Sequence, residues 1–151
     1  DQRGTEVGAT WRVAGPLTLT TAWTWARYRF ADYRVRRGAV VDTLDGRALP
    51  GVPSHVLRLG VRARPARGLT LDADHQWQTA LWADDRNTLR APGWRRGVLD
   101  VRAAWDLPTA RGPRLQPFVG VRNALDTRYV GAVTVNGAFG RVVEPGAGRN
   151  A

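Results

Sequence analysis

The chain has 151 residues, 43% of them hydrophobic, and a formal net charge of +10. It contains no cysteine, which excludes disulfide frameworks and thiolate metal sites. No apolar run approaches the roughly 18 residues of a membrane-spanning helix, so helical spans are excluded, whereas a transmembrane barrel would hide its apolar half in alternation.

The positive charge does not indicate a nucleic-acid partner. All 23 basic residues are arginines, and they are spread along every segment instead of forming the basic patch that nucleic acids require. We therefore expect no nucleic-acid binding.

Alternation of apolar and polar residues predicts six β-strands, because successive side chains of a strand point to opposite faces. The predicted strands are 5–13, 17–30, 54–64, 69–82, 94–107 and 115–123. In the fourth, Leu71, Ala73 and Trp77 alternate with Asp72 and Asp74. Fourteen residues at roughly 3.3 Å each, tilted by about 40°, rise on the order of 35 Å, enough to cross a bilayer core. His75 interrupts the apolar face, where we expect a structural role for it.

The connections between these strands alternate in length. Short connections at 14–16, 65–68 and 108–114 alternate with long ones at 30–53, 83–93 and 124–149. Short turns at one end and long loops at the other are typical of outer-membrane barrels.

The hairpin through 65–68 predicts opposed charges on neighbouring strands, since paired residues share a face. One register places Arg62 opposite Asp72, and the other places Arg62 opposite Asp74 and Arg64 opposite Asp72. Either register suits the polar, water-filled interior of a barrel, although the solvated face of a soluble sheet would show the same pairing.

Aromatic residues gather near the long-loop end of the predicted strands, where they suggest an interfacial girdle. They are Trp23, Trp25, Tyr28, Phe30, Tyr33, Trp82 and Trp94.

The last part of the chain carries an ordered motif, "NALDTRYVGAVTVNGAFGRVVEPGAGRN". It resembles the closing pattern of the TonB-dependent outer-membrane receptors of the siderophore and ferric-citrate type. The matching residues are Asn123, Asp126, Tyr129, Asn136, Gly140, Arg141, Glu144, Pro145, Gly148, Arg149 and Asn150. "LPGVPSH" (49–55), "DDRNTLRAPGW" (84–94) and "GTEVGATW" (4–11) resemble strand entries of the same family.

The resemblance implies an all-β fold, namely an antiparallel transmembrane β-barrel segment of about six strands from a barrel of about 22. It implies that residues 1–151 are a C-terminal portion of the barrel domain, without the plug domain and the final strand. The sequence also lacks a signal peptide at 1–16, so an exported protein is expected to be processed or partial here.

The implied function is uptake of an iron-siderophore or similarly scarce ligand across the bacterial outer membrane. The implied partners are outer-membrane lipid, the iron-siderophore ligand, and the TonB energy-coupling complex, which would act through the absent plug. No cofactor is expected, with iron only as part of the transported chelate, and no metal site of the protein's own.

No catalytic constellation is expected, and the chain is interpreted as a non-enzyme. Ser54 and His55 are sequence neighbours and so point to opposite faces, which disfavours a membrane lipase. Arg34, Arg36 and Arg37 are candidate contacts for an anionic chelate, although solvation or lipid headgroups would also explain them. The main alternative to a receptor is a soluble all-β small-barrel binding module, with its apolar stripe inside.

Overall fold

Six antiparallel strands form one open sheet in the computed structural model of the chain, which describes residues 1–108 and 112–151. The strands of this part are β1 (Gln2–Ala14), β2 (Leu17–Tyr28), β3 (Arg34–Arg37), β4 (Val40–Thr43), β5 (His55–Ala63), β6 (Leu69–Gln78), β7 (Leu81–Trp82), β8 (Arg90–Ala91), β9 (Val98–Trp105), β10 (Phe118–Val121), β11 (Val130–Val133) and β12 (Val143–Pro145). The sheet order is β1-β2-β5-β6-β9-β10, and three two-stranded ribbons, β3-β4, β7-β8 and β11-β12, lie outside it. No helix in the described residues is long and apolar enough to span a membrane.

All six predicted strands occur, but the prediction of one strand over 69–82 is wrong. β6 ends at Gln78, and Leu81–Trp82 pairs instead with Arg90–Ala91. The Thr79 amide still donates to His55 O, but β5 begins at His55, so the chain has no β5 residue to pair with beyond this point. The remaining ten residues of β6 still match the 9–11 that a tilted transmembrane strand needs.

The sheet separates its side chains into an apolar face and a polar face. One cross-strand row of the apolar face runs through Trp11, Leu19, Val61, Ala73, Val101 and Val121. The neighbouring row of the polar face runs through Arg12, Thr18, Arg62, Asp72, Arg102 and Gly120. The apolar face is not covered: Trp11 is 63% exposed and Val119 65%. Because such surface is costly in water, this face requires an apolar partner.

Buried apolar residues in the described part lie mainly among the long loops instead of beneath the sheet. They are Ala26, Leu44, Leu81, Ala83, Ala91, Ala104 and Val142. Most of the apolar side chains that are buried in the described part of the chain therefore lie at the long-loop end of the sheet.

The first of the two predicted hairpin registers is confirmed, since Arg62 pairs with Asp72 and its Nε lies 2.6 Å from Asp72 Oδ1.

Because Arg62 is more than half exposed, we expect a coupling energy between Arg62 and Asp72 of only about 0–1 kcal/mol. A double-mutant cycle of Arg62→Gln and Asp72→Asn, read from the free energy of unfolding, measures it. A coupling of several kcal/mol would contradict a solvated polar face.

Candidate functional site

Three long loops follow the same end of the sheet and form one loop layer: the first is 29–54, the second 79–97 and the third 122–149. The first and second loops are joined by an ion pair between Asp42 and Arg86. Asn87 reinforces this junction, because its Oδ1 accepts from Ala48 N at 2.8 Å and its Nδ2 donates to Ala48 O at 2.9 Å. Asn87 has a φ of +56°, which asparagine tolerates better than most residues.

The second and third loops are joined by a reciprocal pair. Asn136 Oδ1 accepts from Asp85 N at 3.1 Å, and Asn136 Nδ2 donates to Asp85 Oδ2 at 3.0 Å. The backbone amide of Asn136 also donates to Ala83 O at 2.9 Å. The three loops are thus linked through specific amide and carboxylate groups, and the second loop is the central one.

Asp84 organises the second loop from within. Its Oδ1 accepts from the amides of Thr88 and Leu89 at 2.8 and 2.7 Å, and its Oδ2 accepts from the Thr88 hydroxyl at 2.8 Å. Burial alone would raise the pKa of the Asp84 carboxyl, but these hydrogen bonds to the carboxylate outweigh burial and lower the pKa below its ordinary value. Asp84 therefore acts as a structural anchor of the second loop.

The lowered pKa of Asp84 predicts acid sensitivity of the second loop. A carboxyl whose folded pKa lies below its unfolded value stabilises the fold fully above about pH 4, and this contribution is lost as pH falls through the folded pKa. Asp84→Asn should therefore open the loop at neutral pH, where the wild type opens only in acid. Hydrogen exchange of the Thr88 and Leu89 amides measures this, with the exposed Asp32→Asn as control. Equal protection in wild type and Asp84→Asn at neutral pH would contradict the anchor role.

The candidate arginines of the first loop lie in the β3-β4 ribbon. Arg34 is exposed and lies 3.9 Å from the Asp32 carboxylate, and Arg36 is exposed on the same strand. Arg37 belongs to β3, but its side chain lies outside the described part. The structure therefore places Arg34 and Arg36 as exposed cations on one strand of a ribbon at the loop end, which we call the cationic β3-β4 ribbon.

The closing motif mainly fastens the third loop to the end of β10. Asn123, which is 2% exposed and has a φ of +49°, accepts from Thr127 N at 2.9 Å and donates to Thr127 O and Ala147 O at 2.9 and 3.1 Å. Asp126 accepts from Arg149 N at 3.2 Å, and its carboxylate lies 3.9 Å from the Arg149 guanidinium. Both pairs hold residues 147–149 against the turn that follows β10.

Tyr129 is the second anchor of the motif. Its ring lies edge-on to Trp94 at 4.9 Å, and Trp94 Nε1 donates to Val130 O at 3.0 Å. A Cβ at Gly146 would overlap the Tyr129 ring, so glycine is required there. Trp94 therefore packs on the third loop.

The other motif residues have more peripheral positions. Pro145 pairs with Val130, and Glu144 with Ala132, in the β11-β12 ribbon. Gly140 has a φ of +72° in a short 3-10 turn, Arg141 and Gly148 follow as exposed residues, and Asn150 pairs with Arg122 beyond β10.

The polar face carries a cavity of about 580 Å³, lined chiefly by Thr10, Thr20, Arg58, Asp74 and Asp100. Gly60, which also lines the cavity, leaves room for the Thr20 side chain, because a Cβ there would overlap Thr20 Oγ1. The mixed charge suits a hydrated wall. Among the described residues, no group of three or more His, Cys, Asp or Glu side chains could hold a metal ion.

The histidines occupy structural positions. His75 Nε2 lies 2.8 Å from Arg96 O, beside Gly97 with its φ of +68°, so the ring closes the turn before β9. His55 stacks on Trp23 at 5.7 Å, while Ser54 Oγ lies 3.1 Å from Thr79 Oγ1. Ser54 and His55 thus have separate partners.

The chain is similar to known receptors along nearly its whole length. It is 30% identical over 134 residues to the ferrioxamine receptor of Yersinia enterocolitica, a match that covers 87% of this chain and 18% of that protein. The siderophore receptor PiuA from Acinetobacter baumannii matches 98% of this chain with a TM-score of 0.79 and 16% identity, over 20% of its own chain. The ferric yersiniabactin uptake receptor FyuA from Yersinia pestis matches 98% with a TM-score of 0.74 and 23% identity, over 22% of its chain. The sequence matches no protein-family model.

The sheet, its uncovered apolar face and these neighbours define the class of the chain, which is a segment of an outer-membrane β-barrel wall. The resemblance to the TonB-dependent siderophore receptors is confirmed. The chain spans about a fifth of the length of the relatives that it matches.

Proposed function

We propose that the chain forms part of the wall and loop layer of a receptor that takes up an iron-siderophore or a similarly scarce iron-bearing ligand. The observation that carries this proposal is the separation of the sheet into an uncovered apolar face and a charged polar face, with the long loops joined at one end. The similarity to a ferrioxamine receptor supports an iron chelate as the cargo. Iron would enter only as part of that cargo, without a cofactor of the protein's own.

The wider assembly belongs to the same proposal. β1 and β10 are the edges of an open six-stranded sheet, and unpaired edges of this kind require further strands. Residues 1–151 would then be a C-terminal portion of a larger barrel of about 22 strands. Energy would come from the TonB complex, acting through a plug domain inside the barrel.

A transport role explains the site better than catalysis or a soluble binding module. A soluble small barrel would bury its apolar stripe, whereas Trp11, Val7 and Val119 are all more than half exposed. The polar groups around Ser54, His55 and Asp84 are engaged in structural hydrogen bonds or ring stacking. For the cationic β3-β4 ribbon, we propose a first electrostatic contact with an anionic chelate.

The two faces can be tested with single nitroxide labels along β6, in the complete barrel in lipid. Labels at 71, 73 and 77 should favour contact with oxygen, which partitions into lipid, whereas labels at 72, 74 and 76 should favour a water-soluble relaxant. Labels at 71, 73 and 77 that are shielded from both reagents would place them in a dry core and support the soluble module.

Uptake is tested separately in cells whose only receptor is the complete barrel. Replacing Arg34, Arg36 and Arg37 by Gln should slow uptake of an anionic ferric chelate, and added salt should reduce the difference, because exposed charges are screened. Replacing Arg12, Arg64 and Arg67 by Gln changes the charge equally, away from the long loops, and serves as the control. Equal uptake by both triple variants would contradict a role for the ribbon.

A further inference from the structure

Two arginines form a cationic pair at the border of the apolar face. Arg3 in β1 lies directly opposite Arg27 in β2, two residues beyond the Thr5–Trp25 pair on the same face. Directly opposed side chains on antiparallel strands have Cβ atoms about 4.5–5.5 Å apart, and like charges there are destabilising. An anion bound between the two guanidinium groups would relieve this repulsion.

The position of the pair is distinctive. Within the described strands of the six-stranded sheet, Arg3 and Arg27 are the only arginines on the apolar face, since the others share the polar face with Arg62. The apolar stripe of β2 runs from Leu17 to Trp25, a length of about 27 Å along the strand. The arginines follow immediately after it, on the long-loop side, where lipid headgroups meet the protein.

The pair is also available for a ligand. Both side chains are exposed, and Arg27 has no ion-pair partner in the described part of the chain. Arg3 has one exposed partner, since its Nε lies 3.1 Å from Asp1 Oδ1. A surface ion pair of this kind is weak and exchanges readily with another anion.

We propose that Arg3 and Arg27 bind the phosphomonoester of a lipid headgroup in the leaflet on the long-loop side of the membrane. A phosphomonoester carries close to two negative charges and several acceptor oxygens, which suits two neighbouring guanidinium groups that can each bind in a bidentate manner. Trp25, one pair further into the membrane, supplies the interfacial ring beside the acyl chains. The inference rests on the outer-membrane position of the chain and is independent of the cargo that the receptor carries.

Native mass spectrometry of the complete barrel in a nonionic detergent tests the site with phosphatidic acid as the probe. Phosphatidylcholine with the same acyl chains is the control lipid. The wild type should bind phosphatidic acid more tightly, and Arg3→Gln/Arg27→Gln should weaken this binding at least about ten-fold, since a charge-assisted contact contributes that much or more. Arg12→Gln, on the polar face of β1, should leave it unchanged.

Three results would overturn the inference. They are equal binding of both lipids, an equal loss in Arg12→Gln, or full displacement of phosphatidic acid by millimolar inorganic phosphate, which would indicate a site for the free ion. Circular dichroism of the double variant checks that the barrel is intact. If the wild-type complete barrel bound phosphatidic acid but did not take up a ferric chelate, the result would count against the proposed transport function and not against this lipid site.

Discussion

Asn123→Ala should lower the free energy of unfolding by about 2–4 kcal/mol, as expected when buried hydrogen-bonding groups lose their partner. The substitution leaves Thr127 N–H and the carbonyls of Thr127 and Ala147 without the Asn123 amide. It also places alanine at a φ of +49°, a region that asparagine tolerates better. The measurement is denaturant unfolding of the complete barrel in detergent, combined with hydrogen exchange across residues 123–149.

Two control substitutions distinguish the loss of the Asn123 hydrogen bonds from a general sensitivity of the closing motif to substitution. Asn150→Ala removes only an exposed hydrogen bond to Gly148 O and should cost less than about 0.5 kcal/mol. Thr127→Val removes a buried hydroxyl with no partner in the described part of the chain, so it should be neutral or stabilising. If Asn123→Ala were as mild as Asn150→Ala, the motif would not act as a structural anchor.

The six sheet strands were predictable from the sequence because period-two alternation records which face each residue occupies. Arg62 and Asp72 could be paired in advance within two registers, since the short connection at 65–68 allows few alternatives. The end of β6 could not be predicted. The alternation continues through Leu81, whereas the strand ends where its neighbour β5 begins at His55, and Leu81 pairs with Ala91 instead.

The candidate site was predictable as a region and not as a set of contacts. Arg34, Arg36 and Arg37 stand out as charges in a long loop, yet the groups that join the first and second loops are Asp42, Arg86 and Asn87. Asp42 and Arg86 are ordinary polar residues 44 positions apart in sequence, and no local pattern relates them. The asparagines of the long loops were the one weak sequence signal for these junctions, because Asn87 and Asn136 have a positive φ that few other residues accept.

The contacts of the closing motif also explain why its residues stand in a fixed order. Asn123 and Asp126 hold the chain as it leaves β10, and Ala147 and Arg149 are their partners on its return. Asn150 then pairs with Arg122 at the exposed edge of the sheet. These contacts of the motif therefore position the return of the chain to the edge of β10.

Gly146→Ala should destabilise the third loop by about 1–3 kcal/mol, the usual cost of overpacking. The added Cβ would overlap the Tyr129 ring, which is held edge-on to Trp94, and Trp94 in turn donates to Val130 O. Gly146 has no positive φ, so the effect is steric and not a matter of backbone conformation. Thermal unfolding of the complete barrel, with hydrogen exchange across residues 129–146 as the local probe, measures it.

Gly148→Ala is the matched control for this prediction, because its Cβ would meet nothing closer than Asp126 Oδ1 at 3.8 Å, an ordinary contact. Gly146→Ala is also introduced into a Tyr129→Ala variant, which lacks the ring. If the ring is the obstacle, Gly146→Ala should cost little once the ring has been removed, and the double-mutant cycle should show a coupling on the order of 1 kcal/mol or more. An equal cost of Gly146→Ala with and without the Tyr129 ring would mean that the backbone itself, at the close approach of Gly131 and Gly146, sets the requirement for glycine.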